Sequence, residues 1–379
     1  MKKINLGQVA TTTCALALLA GQGFAGGLDR SGQPIGLIFE EGNYVELSFG
    51  HSNPSVMGND LAIFNPAQTP SGNVAQSFNQ IAGGLKIQIT DQLSAAIIYD
   101  QPWGSDVVYA APDANPLTPG SVLLGGTQAI AETQSLTGIL RYKFNDSFSL
   151  HGGLRYQQAE GNITLSGLAY GPLNGYNVSL AQDSGVGWLV GAAFERPDIA
   201  LRLAVTYQSE IDHSFSTVES LAPLATTTTN TTTPQSLNID FQTGVAQNTL
   251  LMAGIRWVDH SVVSIMPTIS NTELVDIEDS TTFSLGLGRR FTENLSGSVM
   301  LSYEAASSDN LVSPLAPTNG MKALTLGLQY KKDKMKISGG VRYTKLGDAF
   351  AETGTPDVAR AAFGGSDAIS FGLRVGFYF

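Results

Sequence analysis

Residues 145–157 read NDSFSLHGGLRYQ and join a two-residue turn signal to a strand pattern. After Asn145-Asp146, the even-numbered positions from Phe148 to Tyr156 are apolar or glycine. The odd-numbered positions between them are Ser, His, Gly and Arg. Apolar residues at every second position predict a strand whose two faces meet different surroundings. A soluble sheet and a membrane barrel both fit one such strand, so the fold depends on whether the pattern repeats.

The pattern repeats along the whole chain. Strands leave six short turn signals at points roughly 40 to 54 residues apart; these signals are TDQ at 90–92, ND at 145–146, RPD at 196–198, AQN at 246–248, TEN at 292–294 and KKDK at 331–334. Longer polar segments separate the hairpins, near 50–73, 104–133, 159–185, 209–235, 259–280, 305–320 and 345–366. With a first strand at 43–50 and a last one at 367–379, the count is about fourteen. Short turns at one end and long loops at the other are typical of outer-membrane barrels.

Aromatic residues mark both ends of the apolar stripes. The stripes that rise from the turns close on Tyr99, Tyr156, Tyr207, Trp257, Tyr303 and Tyr343, and a second set near the turns comprises Phe144, Phe148, Phe194, Phe291, Tyr330 and Phe377. The opposite strand faces hold too many Arg, Lys, Gln and Gly for a dry sandwich core. We therefore predict an all-β fold, a transmembrane antiparallel β-barrel of about fourteen strands. The tail FGLRVGFYF at 371–379 is its last strand, and we expect Phe379 to be recognised by the barrel-assembly machinery.

The N-terminal segment predicts export. Residues 1–25 have two lysines, an apolar run and a small-x-small ending, which is the pattern of a cleaved signal peptide. We divide the remainder into an N-terminal hatch segment at 26–42 and a barrel at 43–379. Removal of residues 1–25 takes away the only cysteine, Cys14, and changes the formal net charge from −11 to −13. We therefore expect no disulfide and no nucleic-acid partner.

Several phrases resemble those of the FadL-type outer-membrane family, which takes up long-chain fatty acids and other hydrophobic compounds. The resemblance runs through most of the exported chain, in phrases that include YDQPWG at 99–104, GWLVGAAFERPD at 187–198, VTYQSEIDHSF at 205–215, IRWVDHS at 255–261 and TTFSLGLGRRFTENLSGSVMLSYE at 281–304. The resemblance implies a fourteen-stranded barrel closed by a small N-terminal hatch. It also implies an apolar binding pocket and sideways release through a gap in the wall.

Pro102 is where the resemblance bears on lateral release. Family members have a kink in the third strand, and proline cannot donate to a strand ladder. Pro102, Trp103 and Gly104 are therefore the candidates for the lateral opening. A strand that simply stops at Pro102 before a long loop is the alternative. For residues 26–42, the alternative to a hatch is a disordered periplasmic leader, because the segment is short and lacks the family's Asn-Pro-Ala signature.

Alternation predicts that seven basic residues point into the lumen, namely Lys86, Arg141, Arg155, Arg202, Arg256, Arg342 and Arg374. A fatty-acid carboxylate that leaves water needs a cationic or hydrogen-bonding partner. Arg155, Arg256, Arg141 and Arg374 are the candidates for that role. Because Glu46, Asp100, Glu195 and Glu304 also point inward, ion-pair networks within the lumen are the alternative.

Apolar residues in the long loops leave two interpretations open. Val107, Tyr109, Leu123 and Leu124 are examples from the loop at 104–133. They form either a hydrophobic groove for acyl chains or the core of a cap over the barrel. The threonine run at 226–234 is interpreted as solvated and without function.

The predicted function is passive transport of long-chain fatty acids or related hydrophobic compounds through a plugged barrel with lateral release. The location is the outer membrane of a Gram-negative bacterium, in contact with outer-membrane lipid and lipopolysaccharide, and we expect a monomer without cofactor or metal. A general or small-solute diffusion porin is the main alternative. An outer-membrane enzyme is disfavoured because Gly-x-Ser-x-Gly is absent from the sequence.

Overall fold

The computed structural model describes residues 27–113, 120–307, 310–354 and 357–379. The predicted signal peptide at 1–25 lies outside these residues. Within the same ranges, no helix is long and apolar enough to cross a membrane.

The described chain is built almost entirely from strands. In chain order they are β1 (Tyr44–Ser55), β2 (Met57–Asp60), β3 (Pro70–Asn73), β4 (Phe78–Gln88), β5 (Leu93–Asp100), β6 (Gly104–Val108), β7 (Gln128–Lys143), β8 (Phe148–Leu165), β9 (Tyr176–Arg196), β10 (Leu201–Gln208), β11 (Ile211–Glu219), β12 (Thr226–Thr233), β13 (Ser236–Ala246), β14 (Thr249–Val258), β15 (Ser280–Arg290), β16 (Leu295–Glu304), β17 (Leu311–Val312), β18 (Met321–Lys332), β19 (Met335–Leu346), β20 (Ala349–Thr353), β21 (Val358–Phe363) and β22 (Asp367–Tyr378). Short 3₁₀ helices occupy Gly36–Phe39, Leu168–Leu173, Pro197–Ile199 and His260–Val262.

Fourteen of the strands form a closed antiparallel barrel, as predicted. Going around the wall, the order is β1, β4, β5, β7, β8, β9, β10, β13, β14, β15, β16, β18, β19 and β22. The wall closes where β1 pairs with β22, from Tyr44 opposite Tyr378 to Ser55 opposite Asp367. A closed wall leaves no sheet edge unpaired, which is the condition for β structure in lipid.

The turns and the strand faces agree with the prediction. All six predicted turn signals join wall strands at one end of the barrel. Alternation has the expected phase, because Leu150 and Leu154 of β8 are exposed on the outside while His151 and Arg155 are buried inside. The exposed side chains form an apolar outer band bounded by the two aromatic sets. This band is the surface that faces lipid.

The long-loop end holds more regular structure than we predicted. β8 continues to Leu165 and β9 begins at Tyr176, so the predicted loop at 159–185 is largely strand. The threonine run is also a strand, β12, which pairs with β11 along its length. The run is therefore part of the sheet and not of an irregular loop, while most of its side chains keep contact with solvent, as predicted. Threonine is β-branched and favours strands, and here alternate threonines turn inward, where Thr229 is buried.

A separate five-stranded sheet covers the same end, in the order β17, β20, β21, β2 and β3. Val107, Tyr109, Leu123 and Leu124 are buried beneath it in one apolar cluster with Phe363. Of the two interpretations of the loop residues, the structure therefore favours a packed cap for these four. Tyr109 also donates a hydrogen bond from its hydroxyl to the carbonyl of Pro314, at 2.7 Å, which ties two loops together.

The assignment of lipid-facing and lumen-facing residues can be tested by substitution. Leu285 of β15 is 57% exposed on the outer band, and its neighbour Ser284 lines the polar lumen. We expect Leu285→Arg to lower the free energy of unfolding in lipid vesicles by about 2–4 kcal/mol, because the charge is forced into hydrocarbon. Ser284→Arg is the matched control and should cost much less. Equal losses for both variants, measured by urea unfolding, would contradict the assigned faces.

Candidate functional site: a window in the wall, the hatch segment and an apolar cavity

The predicted opening at Pro102 coincides with an irregularity in the wall. β5 ends at Asp100, opposite Ser135 of β7, and β6 resumes at Gly104, opposite Glu132. Five residues therefore oppose four, so one extra residue is inserted between β5 and β6. Such a bulge kinks the strand and switches its inward-facing set. The alternative, in which the strand stops at Pro102, is wrong because β6 continues it.

On the other side of the bulged strand, the ladder to β4 is interrupted over several residues. β4 pairs with β5 from Gln88 up to Gly83, opposite Tyr99, and pairing resumes only at the isolated bridge between Ala75 and Val107. Between these points, residues 77–82 and 100–105 face each other as an interrupted stretch that we call the first window. A side chain partly replaces the ladder, because the Ile81 N–H donates to Gln101 Oε1 at 2.9 Å.

The hatch segment lies directly behind the first window. The Arg30 N–H donates to the Pro102 carbonyl at 2.8 Å, and the Gly104 N–H donates to the Leu28 carbonyl at 3.0 Å. Asp29 and Trp103 thereby form a short antiparallel bridge. The main chain at the kink, which lacks its β4 partner, therefore obtains hydrogen bonds from the N-terminal segment instead.

Arg30 closes the space between the two lips of the window. Its guanidinium carbon lies 4.2 Å from the ring centroid of Phe78 on β4. On the other lip it lies against Gly104, where an added Cβ would come within 2.6 Å of it. Glycine at this position leaves the room that Arg30 occupies. Burial lowers the pKa of Arg30, while the charges of Asp106 and Glu132 act in the opposite direction.

An apolar cavity of about 110 Å³ lies beside the kink on the extracellular side of the hatch segment. Its lining joins the hatch segment, the kink, the wall and the cap loops, through Leu28, Trp103, Ala159, Leu180, Phe215 and Leu315. No lysine or arginine is among the described lining residues. An engineered apolar cavity of ~150 Å³ stays dry and accepts benzene, so this cavity has the size and lining for a small apolar molecule.

The upper end of the hatch segment is held by a buried ion pair. Asp29 Oδ2 lies 2.5 Å from Arg256 Nε, and Arg256 also donates to Asn238 Oδ1 at 2.8 Å. The guanidinium lies 5.7 Å from the Trp103 ring centroid, and His260 meets the same ring edge to face at 5.9 Å. The anchor of the hatch segment and the lip of the window are therefore one contact network.

The lower end is held by rings and charges. The Phe39 ring lies between the guanidinium groups of Arg141 and Arg202, each 4.5 Å from its centroid. Glu40, the next residue, pairs with Lys336 and accepts a hydrogen bond from the Tyr378 hydroxyl at 2.6 Å. A polar cavity of about 520 Å³ runs beside the hatch segment, from Asn238 and Arg256 past these contacts to Asp91 and Asp146 at the turns.

All four arginines predicted to bind ligand point inward, and each has a protein partner. Arg256 pairs with Asp29, Arg141 with Glu195, and Arg374 with Glu46 at 3.5 Å. Arg155 donates to Thr137 Oγ1 at 3.0 Å. Arg141, Arg256 and Arg374 line one cavity of about 520 Å³ and Arg155 does not, so the structure brings three of the four together. Their role in ligand binding stays a prediction.

Sequence reasoning missed the residues that fill the window, above all Arg30, Phe78 and Gln101. Arg30 belongs to a segment without alternation, so no pattern indicated its direction. Phe78 precedes the part of β4 that pairs with β5, and its role depends on contacts with a distant segment. The proline next to Gln101 was the one available signal.

Breaking the buried anchor should release the hatch segment. Asp29→Asn removes the carboxylate that pairs directly with Arg256, and removing one partner of a buried pair typically costs about 3–5 kcal/mol. We expect higher single-channel conductance in planar bilayers than for the unaltered protein. Ser31→Ala is the control, because it removes a hydrogen bond to Asp100 and keeps the ion pair. Unchanged conductance in Asp29→Asn would refute the anchoring role.

Acid should weaken the same network through His260. Burial lowers the pKa of His260 to about 4, with Asp29 and Arg256 acting in opposite directions. The unfolded value is near 6.5, so the contribution to stability is complete above pH 6.5 and is lost as the pH falls toward 4. We expect the melting temperature in detergent to drop over this range by more than it does in His260→Phe, which keeps the ring. Parallel pH profiles for the two proteins would contradict this.

Comparisons with known proteins identify the fold. No family model matches the chain, and no curated protein matches it. A FadL homologue from Pseudomonas aeruginosa superposes with a TM-score of 0.73 at 15% identity, covering 95% of this chain and 96% of its own. The toluene transporter TodX of P. putida gives 0.62 at 13% identity, with 90% and 92% covered. The toluene transporter TbuX of Ralstonia pickettii gives 0.60 at 12% identity, with 89% and 90% covered. The chain therefore has the fold of the FadL-type outer-membrane channels.

Proposed function

We propose that this barrel carries long-chain fatty acids or related hydrophobic compounds passively across the outer membrane. In this proposal, residues 26–42 act as a hatch, and Pro102, Trp103 and Gly104 form one lip of the lateral opening. Substrate enters from the cap, occupies the apolar cavity and leaves sideways through the first window. The similarity of the fold to toluene transporters supports a hydrophobic substrate.

One observation carries the proposal, namely that the interrupted wall and the apolar cavity share the residues of the kink. Trp103 and Gly104 line the cavity and also border the first window. An apolar molecule in the cavity therefore reaches the wall without first crossing the polar lumen. Lateral release avoids the water-filled periplasm, in which apolar surface is costly to expose.

The lining favours uncharged substrates over carboxylates. Glu132 and Glu160 belong to the lining strands but are exposed on the outer face of the wall, so the cavity itself presents apolar surface and, among the described lining residues, no cation. A bound carboxylate would need a cation or several donors to offset its desolvation. We therefore expect tighter handling of neutral compounds, such as toluene, than of fatty acids.

A general porin remains the second candidate function because of the polar cavity beside Phe39 and Glu40. Its lining includes Lys86, Asp91 and Glu195, which suit water and small solutes. A liposome-swelling assay distinguishes the two functions. Fast entry of small sugars into vesicles that contain the unaltered protein would support the porin.

The cavity generates the decisive test. Ala159→Phe places a ring in the cavity, whereas Ala95→Phe places the same ring on the lipid-facing side of β5. We expect several-fold slower uptake of labelled toluene and oleate for Ala159→Phe only. The cells are a Gram-negative host that lacks its own fatty-acid porter, with empty vector as background.

Two outcomes would contradict the proposal. Equal uptake by Ala159→Phe and Ala95→Phe would exclude the cavity from the route. Uptake by the unaltered protein at the vector level, with the barrel shown to be heat-modifiable and inserted in the membrane, would exclude both substrates.

A further inference from the structure

The wall is interrupted a second time, between β9 and β11. β10 pairs with β9 up to Gln208, opposite Leu189, and the ladder resumes only where Thr217 of β11 faces Leu180. Within the described residues 120–307, no backbone hydrogen bond joins 181–187 to 210–216. We call this stretch the second window.

The second window has a local cause in both strands. Gln208 and Ile211 are both buried, so the inward-facing set changes from even to odd numbers across Ser209 and Glu210. β9 changes in the same way, because Leu180 and Leu189 are both buried. Between the two irregularities, residues that oppose each other point to opposite faces. Because a β ladder requires opposed residues to share a face, it fails between these points.

Side chains take the place of the missing ladder. Ser209 Oγ accepts a hydrogen bond from the Trp188 N–H at 2.9 Å. Asp183 Oδ2 accepts one from the Ser214 N–H at 3.0 Å, and His213 Nδ1 lies 3.3 Å from the same oxygen. The first window shows the same substitution, with Gln101 as the acceptor. Contacts of this kind break one at a time and leave the neighbouring ladders intact.

One apolar side chain fills the second window from inside. Ile211 is buried against the main chain of Gly185 and Gly187, where an added Cβ would lie 2.4 Å and 2.7 Å from its methyl and methylene carbons. On the outside, Val186 is 64% exposed and Trp188 is exposed beside it. Ile211 therefore closes the lower part of this window with apolar surface, and Val186, Trp188 and the exposed Glu210 lie outside it.

Both windows border the same cavity and are linked by one row of opposed residues. Leu180 and Phe215, at the upper end of the second window, line the apolar cavity opposite Trp103. One row of opposed residues runs from Tyr99 through Leu136 and Tyr156 to Val186. Tyr99 lies at the lower edge of the first window, and Val186 lies in the second. Only β7 and β8 separate them.

We propose that the second window is a second lateral passage for uncharged hydrophobic molecules, and that Ile211 is its movable closure. The passage joins the apolar cavity to lipid near the aromatic set that includes Tyr99, Tyr156 and Tyr207. A molecule therefore leaves the cavity on either side of the β7–β8 hairpin. This inference rests on the proposed function, because it concerns the same cavity and substrates.

The test locks each window separately with a disulfide. The sequence has one cysteine, Cys14 in the signal segment, so introduced pairs react without competition in the exported chain. Ile81→Cys with Gln101→Cys bridges the first window, where the Gln101 side chain already reaches Ile81, and Asp183→Cys with His213→Cys bridges the second, where the two side chains already meet. Single-cysteine variants are the controls. Uptake of labelled toluene is measured before and after reduction, and cross-linking is verified by gel mobility.

We expect partial loss of uptake with the first lock, loss to the vector level with both locks, and recovery on reduction. Loss to the vector level with the first lock alone would overturn the second passage and leave the proposed function standing. The second passage would also be overturned, with the proposed function left standing, if the second lock removes none of the uptake that remains after the first lock. Uptake that is unchanged by both locks would overturn lateral release as a whole. If the unlocked protein shows no uptake, the proposed function itself is overturned.

A second variant does not depend on forming a cross-link at the second window. Ile211→Ala removes the closure while Gly185 and Gly187 stay unchanged. With the first window locked, we expect faster uptake than in the locked protein that keeps Ile211. Val205→Ala, on the outer face of β10, is the matched truncation and should leave the rate unchanged. Equal rates for Ile211→Ala and its parent would refute the closure.

Discussion

The pleat of a β-strand imposes the constraint on which this barrel depends. Neighbouring strands can exchange hydrogen bonds and keep one lipid-facing surface only while their pleats stay in phase. Around most of the wall the phase is kept, and apolar residues face outward from Leu47 on β1 to Leu373 on β22. One inserted residue between β5 and β6 breaks the phase at one place, and paired irregularities in β9 and β10–β11 break it at another. At these two places the described wall lacks its ladder hydrogen bonds.

The lumen follows a second constraint, which is that charges removed from water must be compensated. Asp29 with Arg256 and Glu40 with Lys336 tie the N-terminal segment to two separate strands of the wall, β14 and β19. Because buried ion pairs gain little net energy over apolar packing, such contacts are better suited to specifying a position than to adding stability. The segment is thus held in a defined position. The apolar cavity above it contains no such pairs and is held open by the shapes of the strands and loops.

Much of the fold could be predicted from local sequence, and much of the site could not. The turn at Asn145-Asp146 and the alternation after it identify strand, face and orientation, because these properties depend on residues close in the chain. β12 was missed because a run of threonines has no apolar alternation, although β-branching suits a strand. Arg30 and Ile211 were missed for another reason. Each matters through a glycine on a different segment, Gly104 or Gly185 and Gly187, and such pairings appear only once the chain is folded.

The closure of the barrel by its first and last strands has a consequence for biogenesis. β1 and β22 are hydrogen-bonded neighbours, although almost the entire folded chain lies between them. Contacts this distant in sequence form slowly, because a long loop must be closed before they contribute any energy. No partial product of synthesis can seal the wall, since its final seam requires Asp367–Tyr378. The exported chain must therefore stay unfolded and soluble until it is complete, a state to which its excess of acidic residues is suited.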